Sequence, residues 1–168
     1  MSAQMYVVAL SPPSNIQRIL SEAQTQVFQE LSCAAALAIP PIVPLGFYDR
    51  RPAPPVASAL VQECQLKSTG FLCPGNHIYL GLSPANEIAR IGRLIAAEPS
   101  TPLFPVLAGV PIGINLDHPR ADVAWPAPLV TWKTCRLLCL ELEIGAVTNW
   151  WENVTYVKCW DIKLKRKI

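Results

Sequence analysis

The chain has 168 residues, of which 51% are hydrophobic and only 15% are charged, and its formal net charge is +2. This length suits one domain with a real core, and the high apolar content excludes an intrinsically disordered chain. So small a net charge does not by itself indicate a nucleic-acid partner. The longest apolar run, residues 33–43, is about half as long as a membrane-spanning helix, so we expect no membrane association.

The start of the chain and its six cysteines bear on location and on bound groups. No basic segment opens the chain, so we expect no signal peptide and a cytoplasmic location. No Cys-x-x-Cys pair occurs, and cysteines in a reducing compartment behave as small buried hydrophobes. We therefore expect neither disulfides nor a metal site. Glycine-rich phosphate loops are absent too, so no cofactor is predicted. The high apolar fraction leaves room for an exposed apolar face, and hence for a homodimer.

The chain opens with a predicted strand and helix. Residues 5–10 are rich in β-branched side chains and are followed by Pro12, which predicts a buried strand stopped by proline. Ser14 and Gln17 then form a capping-box pattern. The apolar residues that follow recur at helical spacing, which predicts a helix over about residues 15–31.

The next stretch is interrupted by prolines that exclude a long helix. We expect a strand over residues 33–39, continued as an irregular or edge strand to Phe47. Apolar residues that share one face predict a short second helix over residues 56–64. A Pro-Gly turn between residues 65–72 and 77–82 predicts a hairpin.

The second half begins with a predicted helix that has Ser83 at its N-cap and proline at its first position. Residues 106–116 are apolar and predict a strand, whereas residues 117–131 have no period and predict a loop. Alternating apolar and polar residues in 138–144 and 160–164 predict a closing hairpin with one apolar face. Helices interleaved with hairpins indicate an α+β fold.

Three stretches of the chain resemble the two-histidine (2H) phosphoesterase superfamily, in particular its 2′-5′ RNA ligase-like members. They are Tyr6–Pro13 with the helix that follows it, His77–Leu82, and Arg136–Ile144. The resemblance extends over most of the chain. It implies that residues 1–168 form a single domain of two pseudo-repeated lobes. In that fold antiparallel or mixed sheets, flanked by helices, surround a central cleft.

The resemblance also implies where a catalytic site would lie. Members of the family carry His-x-Thr/Ser once in each lobe; one histidine removes a proton and the other protonates the leaving oxygen, which needs two groups that titrate near neutrality. In this chain the counterparts are the degenerate triplets that run from Pro41 to Val43 and from Pro111 to Gly113. Proline and valine cannot transfer a proton, and glycine has no hydroxyl. The resemblance therefore implies a lost catalytic site.

The two histidines of the chain are the remaining candidates for phosphate chemistry. His77 and Tyr79 form a His-x-Tyr sequence that imitates the family motif, although a histidine beside a turn is the simpler interpretation. His118 and Arg120 lie in a polar stretch in which the arginine could contact a phosphate, although a solvated loop is the simpler interpretation.

A second candidate surface combines adjacent tryptophans with a basic tail. Trp150 and Trp151 lie in a predicted hairpin loop, where both indoles cannot easily face the core, and residues 163–167 hold four basic side chains. An exposed indole could stack on a base or anchor a protein contact. The first hypothesis is therefore a non-catalytic relative of the 2H fold that binds a nucleotide, RNA or a protein partner. The alternatives are a divergent phosphodiesterase for RNA 2′,3′-cyclic phosphates and a structural or dimerisation module.

Overall fold

The computed structural model describes residues 3–32, 40–56, 62–115, 123–134, 136–144 and 154–166. These ranges contain eight strands and two helices. They are β1 (Ala3–Ser11), α1 (Ser14–Leu31), β2 (Val43–Tyr48), β3 (Gln65–Leu72), β4 (His77–Ser83), α2 (Ala85–Gly92), β5 (Gly109–Ile114), β6 (Thr131–Lys133), β7 (Arg136–Ile144) and β8 (Val154–Lys163). The predicted α+β class is confirmed. Neither helix in the described ranges is long and apolar enough to cross a membrane.

The strands form two four-stranded sheets. The first has the order β2-β1-β7-β8 and the second β5-β4-β3-β6, and every neighbouring pair of strands is antiparallel. Strand β1 lies inside the first sheet, although its neighbour β7 is more than a hundred residues away in the sequence. The two hairpins β3–β4 and β7–β8 are those that the sequence predicts.

The two faces of β1 lie in different apolar clusters. Val8 and Leu10 belong to the helix-side core, which includes the buried faces of both helices. Val7 and Ala9 belong to a second group on the other side, which we call the opposite-face cluster. Its buried members are Val7, Ala9, Ile42, Phe47, Tyr79, Phe104, Ile114, Leu138, Leu142 and Ile144. Because β1 and β2 are covered on both faces, their central residues read as continuous apolar runs rather than as strict alternation.

Strand β7 shows the effect of this double burial. The sequence predicts one apolar and one polar face, but Leu137, Leu138 and Cys139 are all buried in the structure. The first and third of them face the helix-side core, and Leu138 faces the opposite-face cluster. The predicted polar face is therefore wrong for this part of the strand, because the helix-side core covers it.

The start of α1 differs in one detail from the sequence prediction. Its N-cap is Pro13, which makes no side-chain cap hydrogen bond, and Ser14 is already the first helical residue. The Gln17 side chain still reaches back, because its Nε2 donates to the carbonyl of Pro12 at 2.8 Å. The predicted capping box is therefore absent, because the N-cap is a proline and the Gln17 amide donates to a carbonyl instead of accepting from an N–H.

The start of α2 also differs from the prediction. Ser83 is the last residue of β4 and pairs with Lys67 of β3, so it is not the N-cap. That position is occupied by Pro84, again without a side-chain cap hydrogen bond. Ser83 therefore pairs in the β3–β4 ladder instead of capping the helix as the local pattern predicts.

Two further predictions concern segments around the sheet edges. The strand over 33–39 and the centre of the helix over 56–64 lie outside the described residues. Cys64 itself is not helical: its backbone N–H donates to Thr134 Oγ1 at 2.9 Å, directly before β3. The predicted loop over 117–131 ends too late, since β6 begins at Thr131 and pairs with β3.

Candidate functional site

The two sheets meet at β2 and β5, the edge strands that contact each other. The degenerate triplet that ends at Val43 leads into β2, and the triplet from Pro111 to Gly113 lies inside β5. The strand that follows the first triplet therefore contacts the strand that contains the second.

The residues at the start of β2 divide between the two clusters. Val43 pairs with Leu10 of β1, has no exposed surface, and belongs to the helix-side core. Ile42 is 5% exposed and belongs to the opposite-face cluster. A bulge opposite Val8 and Ala9 then shifts the register, so that Pro44 pairs with Ala9. The side chains that β2 directs toward the opposite-face cluster are thus apolar.

Strand β5 is equally apolar and its backbone is already engaged. Pro111 pairs with Tyr79 of β4, and its carbonyl accepts a hydrogen bond from Nε2 of the buried Gln24 of α1 at 3.2 Å. Gly113 pairs with Ile78 after a bulge in the ladder. Both triplet positions are buried, and neither can donate, accept or relay a proton through its side chain.

Tyr79 is part of the packing of this region. It is 1% exposed, and its hydroxyl donates to the carbonyl of Pro105. Burial raises the pKa of Tyr79, so the phenol stays protonated as that donor. Nearby, the rings of Phe47 and Phe104 make an edge-to-face contact with centroids 4.9 Å apart. The Tyr79 hydroxyl therefore holds the segment between α2 and β5 through its hydrogen bond to Pro105.

His77 lies at the first position of β4, half-buried, with its ring centroid 6.4 Å from that of Tyr79. Burial lowers the pKa of His77, and a hydrogen bond with the Pro74 backbone partly opposes this effect. The imidazole is therefore neutral around pH 7. His118, Arg120, Trp150 and Trp151 lie outside the described residues.

A separate cavity of about 550 Å³ lies between β2, α2 and the segment that leads into β5. Its polar groups include Tyr48 and Arg93, which the sequence interpretation does not single out. No local pattern could have found them, because they are 45 residues apart and meet only through the packing of α2 against β2. Within the described part of the chain, no three His, Cys, Asp or Glu side chains come together as a metal site.

Comparison with known proteins identifies the fold. No family model matches the chain, and no curated protein matches it. Among solved structures, Escherichia coli LigT complexed with 3′-AMP superposes with a TM-score of 0.65 at 10% identity, covering 97% of this chain and 99% of LigT. TT0787 of Thermus thermophilus gives 0.61 at 13% identity, covering 98% and 100%. A further structure described as a phosphoesterase gives 0.56 at 11%, covering 97% and 99%. The chain thus has the LigT-like fold of 2H phosphoesterases.

Proposed function

We propose that this chain is a non-catalytic binding protein built on the LigT-like fold. The observation that carries the proposal is the chemistry of the junction between β2 and β5. Val43 of β2 and Pro111 and Gly113 of β5 occupy degenerate motif positions there, and none of them can exchange a proton. General acid–base cleavage of a phosphodiester needs two side chains that titrate near the working pH on opposite sides of the phosphorus.

The surroundings of the junction add to this argument. The opposite-face cluster consists of aliphatic and aromatic residues from both sheets, and Tyr79 is its single polar member. The described residues of this cluster offer no charged partner to a phosphodiester anion, so a nucleotide bound here would keep its phosphate in water rather than against the cluster. His77, the single histidine among the described residues, has a lowered pKa and lies on β4 rather than on β2 or β5.

A nucleotide is the first ligand to test, because LigT itself was crystallised with 3′-AMP, with NADP+ and with ATP. A protein partner or a second copy is the other class. Three apolar side chains support it, since Val56, Leu129 and Val157 are 66%, 92% and 58% exposed. Single exposed apolar residues are common on monomers, so the three positions favour a partner only when they are taken together.

The test is a comparison of hydrolysis with binding. The purified chain and E. coli LigT are incubated in parallel with 2′,3′-cyclic AMP, and 3′-AMP binding is measured by calorimetry. We expect no hydrolysis above the buffer rate for this chain, together with either saturable binding of 3′-AMP or RNA or a dimeric mass. A monomeric mass together with no 3′-AMP or RNA binding would contradict the binding role.

A divergent phosphodiesterase is the second candidate, supported by one contact. The backbone N–H of Asn115 donates to the Asn76 carbonyl at 2.8 Å, directly before His77. The chain that leads to His118 therefore leaves the described structure beside His77. Hydrolysis of 2′,3′-cyclic AMP that is lost in both His77→Ala and His118→Ala would establish this candidate and overturn the first.

A further inference from the structure

The cavity beside α2 is a largely apolar space into which a few polar groups are placed. Pro44 and Leu45 of β2 form one wall, α2 forms the second, and the segment around Val106 and Leu107 forms the third. Its volume of about 550 Å³ is within the range of small-molecule sites, which are typically apolar with a few placed polar groups.

The sequence of α2 explains why this space is not filled. Ile88 and Ile91 of the helix are buried and provide its packing. The positions that line the cavity include Ala85, Ala89 and Gly92, one and two turns apart on one side of the helix. Their side chains end at Cβ or are absent, so α2 approaches β2 closely without occupying the space beside it.

Tyr48 supplies a polar group to this apolar space. The residue is 4% exposed and lines the cavity, and no side-chain hydrogen bond joins its hydroxyl to another described residue. The ring folds back over Gly46, where an added Cβ would lie 3.0 Å from the Tyr48 oxygen. A ligand oxygen in the cavity would give this hydroxyl an acceptor. Burial also raises the pKa of Tyr48, so it remains a donor.

Among the described residues that line the cavity, Arg93 is the single charged one. It is exposed and has no ion-pair partner within the described ranges. Arg90 on the same helix differs, because it pairs with Glu87 at 2.8 Å and does not line the cavity. Asp49 and Glu98 do not line the cavity; they line an adjoining recess, where Arg50 balances one of the two carboxylates and which shares Tyr48 with the cavity.

We propose that this cavity binds a small monocarboxylic acid, with the apolar body of the acid between β2 and α2 and its carboxylate accepting hydrogen bonds from Tyr48 and Arg93. A phenol and a guanidinium both donate, and together they match an oxygen acceptor with a negative charge. The apolar lining favours an alkyl or aryl body over a polar one. The site adjoins the junction of β2 and β5 that defines the proposed function and shares strand β2 with it, but its ligand contacts, Tyr48 and Arg93, do not depend on phosphodiester cleavage.

Calorimetric titration of the full chain with decanoate tests the site, with decanol as the neutral analogue of the same length. We expect saturable one-to-one decanoate binding with a Kd of roughly 0.01–1 mM, the range that a small, mostly apolar ligand reaches. Decanol should bind at least about threefold more weakly, because it loses the charge-assisted hydrogen bonds. Absence of saturable decanoate binding, or equal affinity for decanol, overturns the proposal.

Single substitutions separate the two donors. Tyr48→Phe removes the hydroxyl alone and should weaken decanoate binding about tenfold, as expected for a hydrogen bond to a charged group. Arg93→Gln should weaken it about threefold to fivefold, less than a buried donor because the side chain is exposed. Arg90→Gln, the matched control outside the cavity, should leave the Kd unchanged. An unchanged Kd in Tyr48→Phe would refute the assignment.

Filling the cavity tests its location. Ala89→Phe places a ring in the space and should abolish decanoate binding, whereas Ala96→Phe, at an exposed position that does not line the cavity, should not. Retained binding in a folded Ala89→Phe would place decanoate elsewhere and overturn the site. If Ala89→Phe does not fold, Tyr48→Phe decides the matter, because it leaves the volume of the side chain almost unchanged.

Discussion

Phe104 anchors the segment between α2 and β5, and its truncation should be strongly destabilising. The side chain is 3% exposed and packs edge-to-face on Phe47 with ring centroids 4.9 Å apart. Burial of a whole phenylalanine contributes about 1.5–3 kcal/mol, and the cavity left by removing it adds to the loss. We therefore expect Phe104→Ala to lower the free energy of unfolding by about 3–5 kcal/mol.

Urea denaturation followed by circular dichroism measures this loss. The matched control is Phe28→Ala in α1, since Phe28 is 38% exposed and its truncation should cost less than about 1 kcal/mol. A double-mutant cycle with Phe47→Leu should return a coupling of about 0.5–1.5 kcal/mol for the aromatic pair. A loss below about 1 kcal/mol in Phe104→Ala would show that the segment does not depend on this contact.

Three further predictions concern buried polar and titratable groups. Burial lowers the pKa of His77 below 6.5, so the unfolded chain takes up the proton first. The contribution of His77 to the free energy of unfolding should be complete above pH 6.5 and should decline as the pH falls below it. His77→Gln should flatten this part of a profile of stability against pH. An unchanged profile would contradict the burial effect. Thr134→Val leaves the backbone N–H of Cys64 without its acceptor and should lower the free energy of unfolding in urea by about 1–3 kcal/mol. Thr131→Val, at an exposed position, should lower it by under about 0.5 kcal/mol. Equal losses would count against the hydrogen bond as the cause. Burial raises the pKa of Cys139 to about 12, so in the folded protein iodoacetamide at pH 8 should alkylate the exposed Cys73 well before Cys139; equal rates by peptide mass mapping would contradict this.

The candidate site was only partly visible in the sequence. The family resemblance pointed to the regions around Pro41 and Pro111, and the fold shows that strands β2 and β5, which adjoin or contain these regions, contact each other. Which side chains face which cluster was not predictable, because a bulge opposite Val8 and Ala9 shifts the register by one residue. A shift of one residue moves every following side chain of a strand to the other face, and no sequence pattern here marks the bulge.

The sequence by itself determined the elements whose signals are local. The helical spacing of α1, the apolar run of β1 and the Pro-Gly turn of the β3–β4 hairpin all act within a few residues, and each predicted element is present. The closing hairpin of β7 and β8 was predictable for the same reason. In these segments local preference and the final fold agree.

The tertiary structure decided everything that depends on residues distant in the sequence. Three features depend on hydrogen bonds between strands that are distant in the sequence. They are the pairing of β1 with β7, the short strand β6, and the placement of Ser83 in a strand rather than at a helix cap. The cavity that joins Tyr48 to Arg93 also exists only because α2 packs on β2. Such contacts form between surfaces of elements that are far apart in the sequence. Their contribution to stability therefore cannot be predicted from the pattern of neighbouring residues.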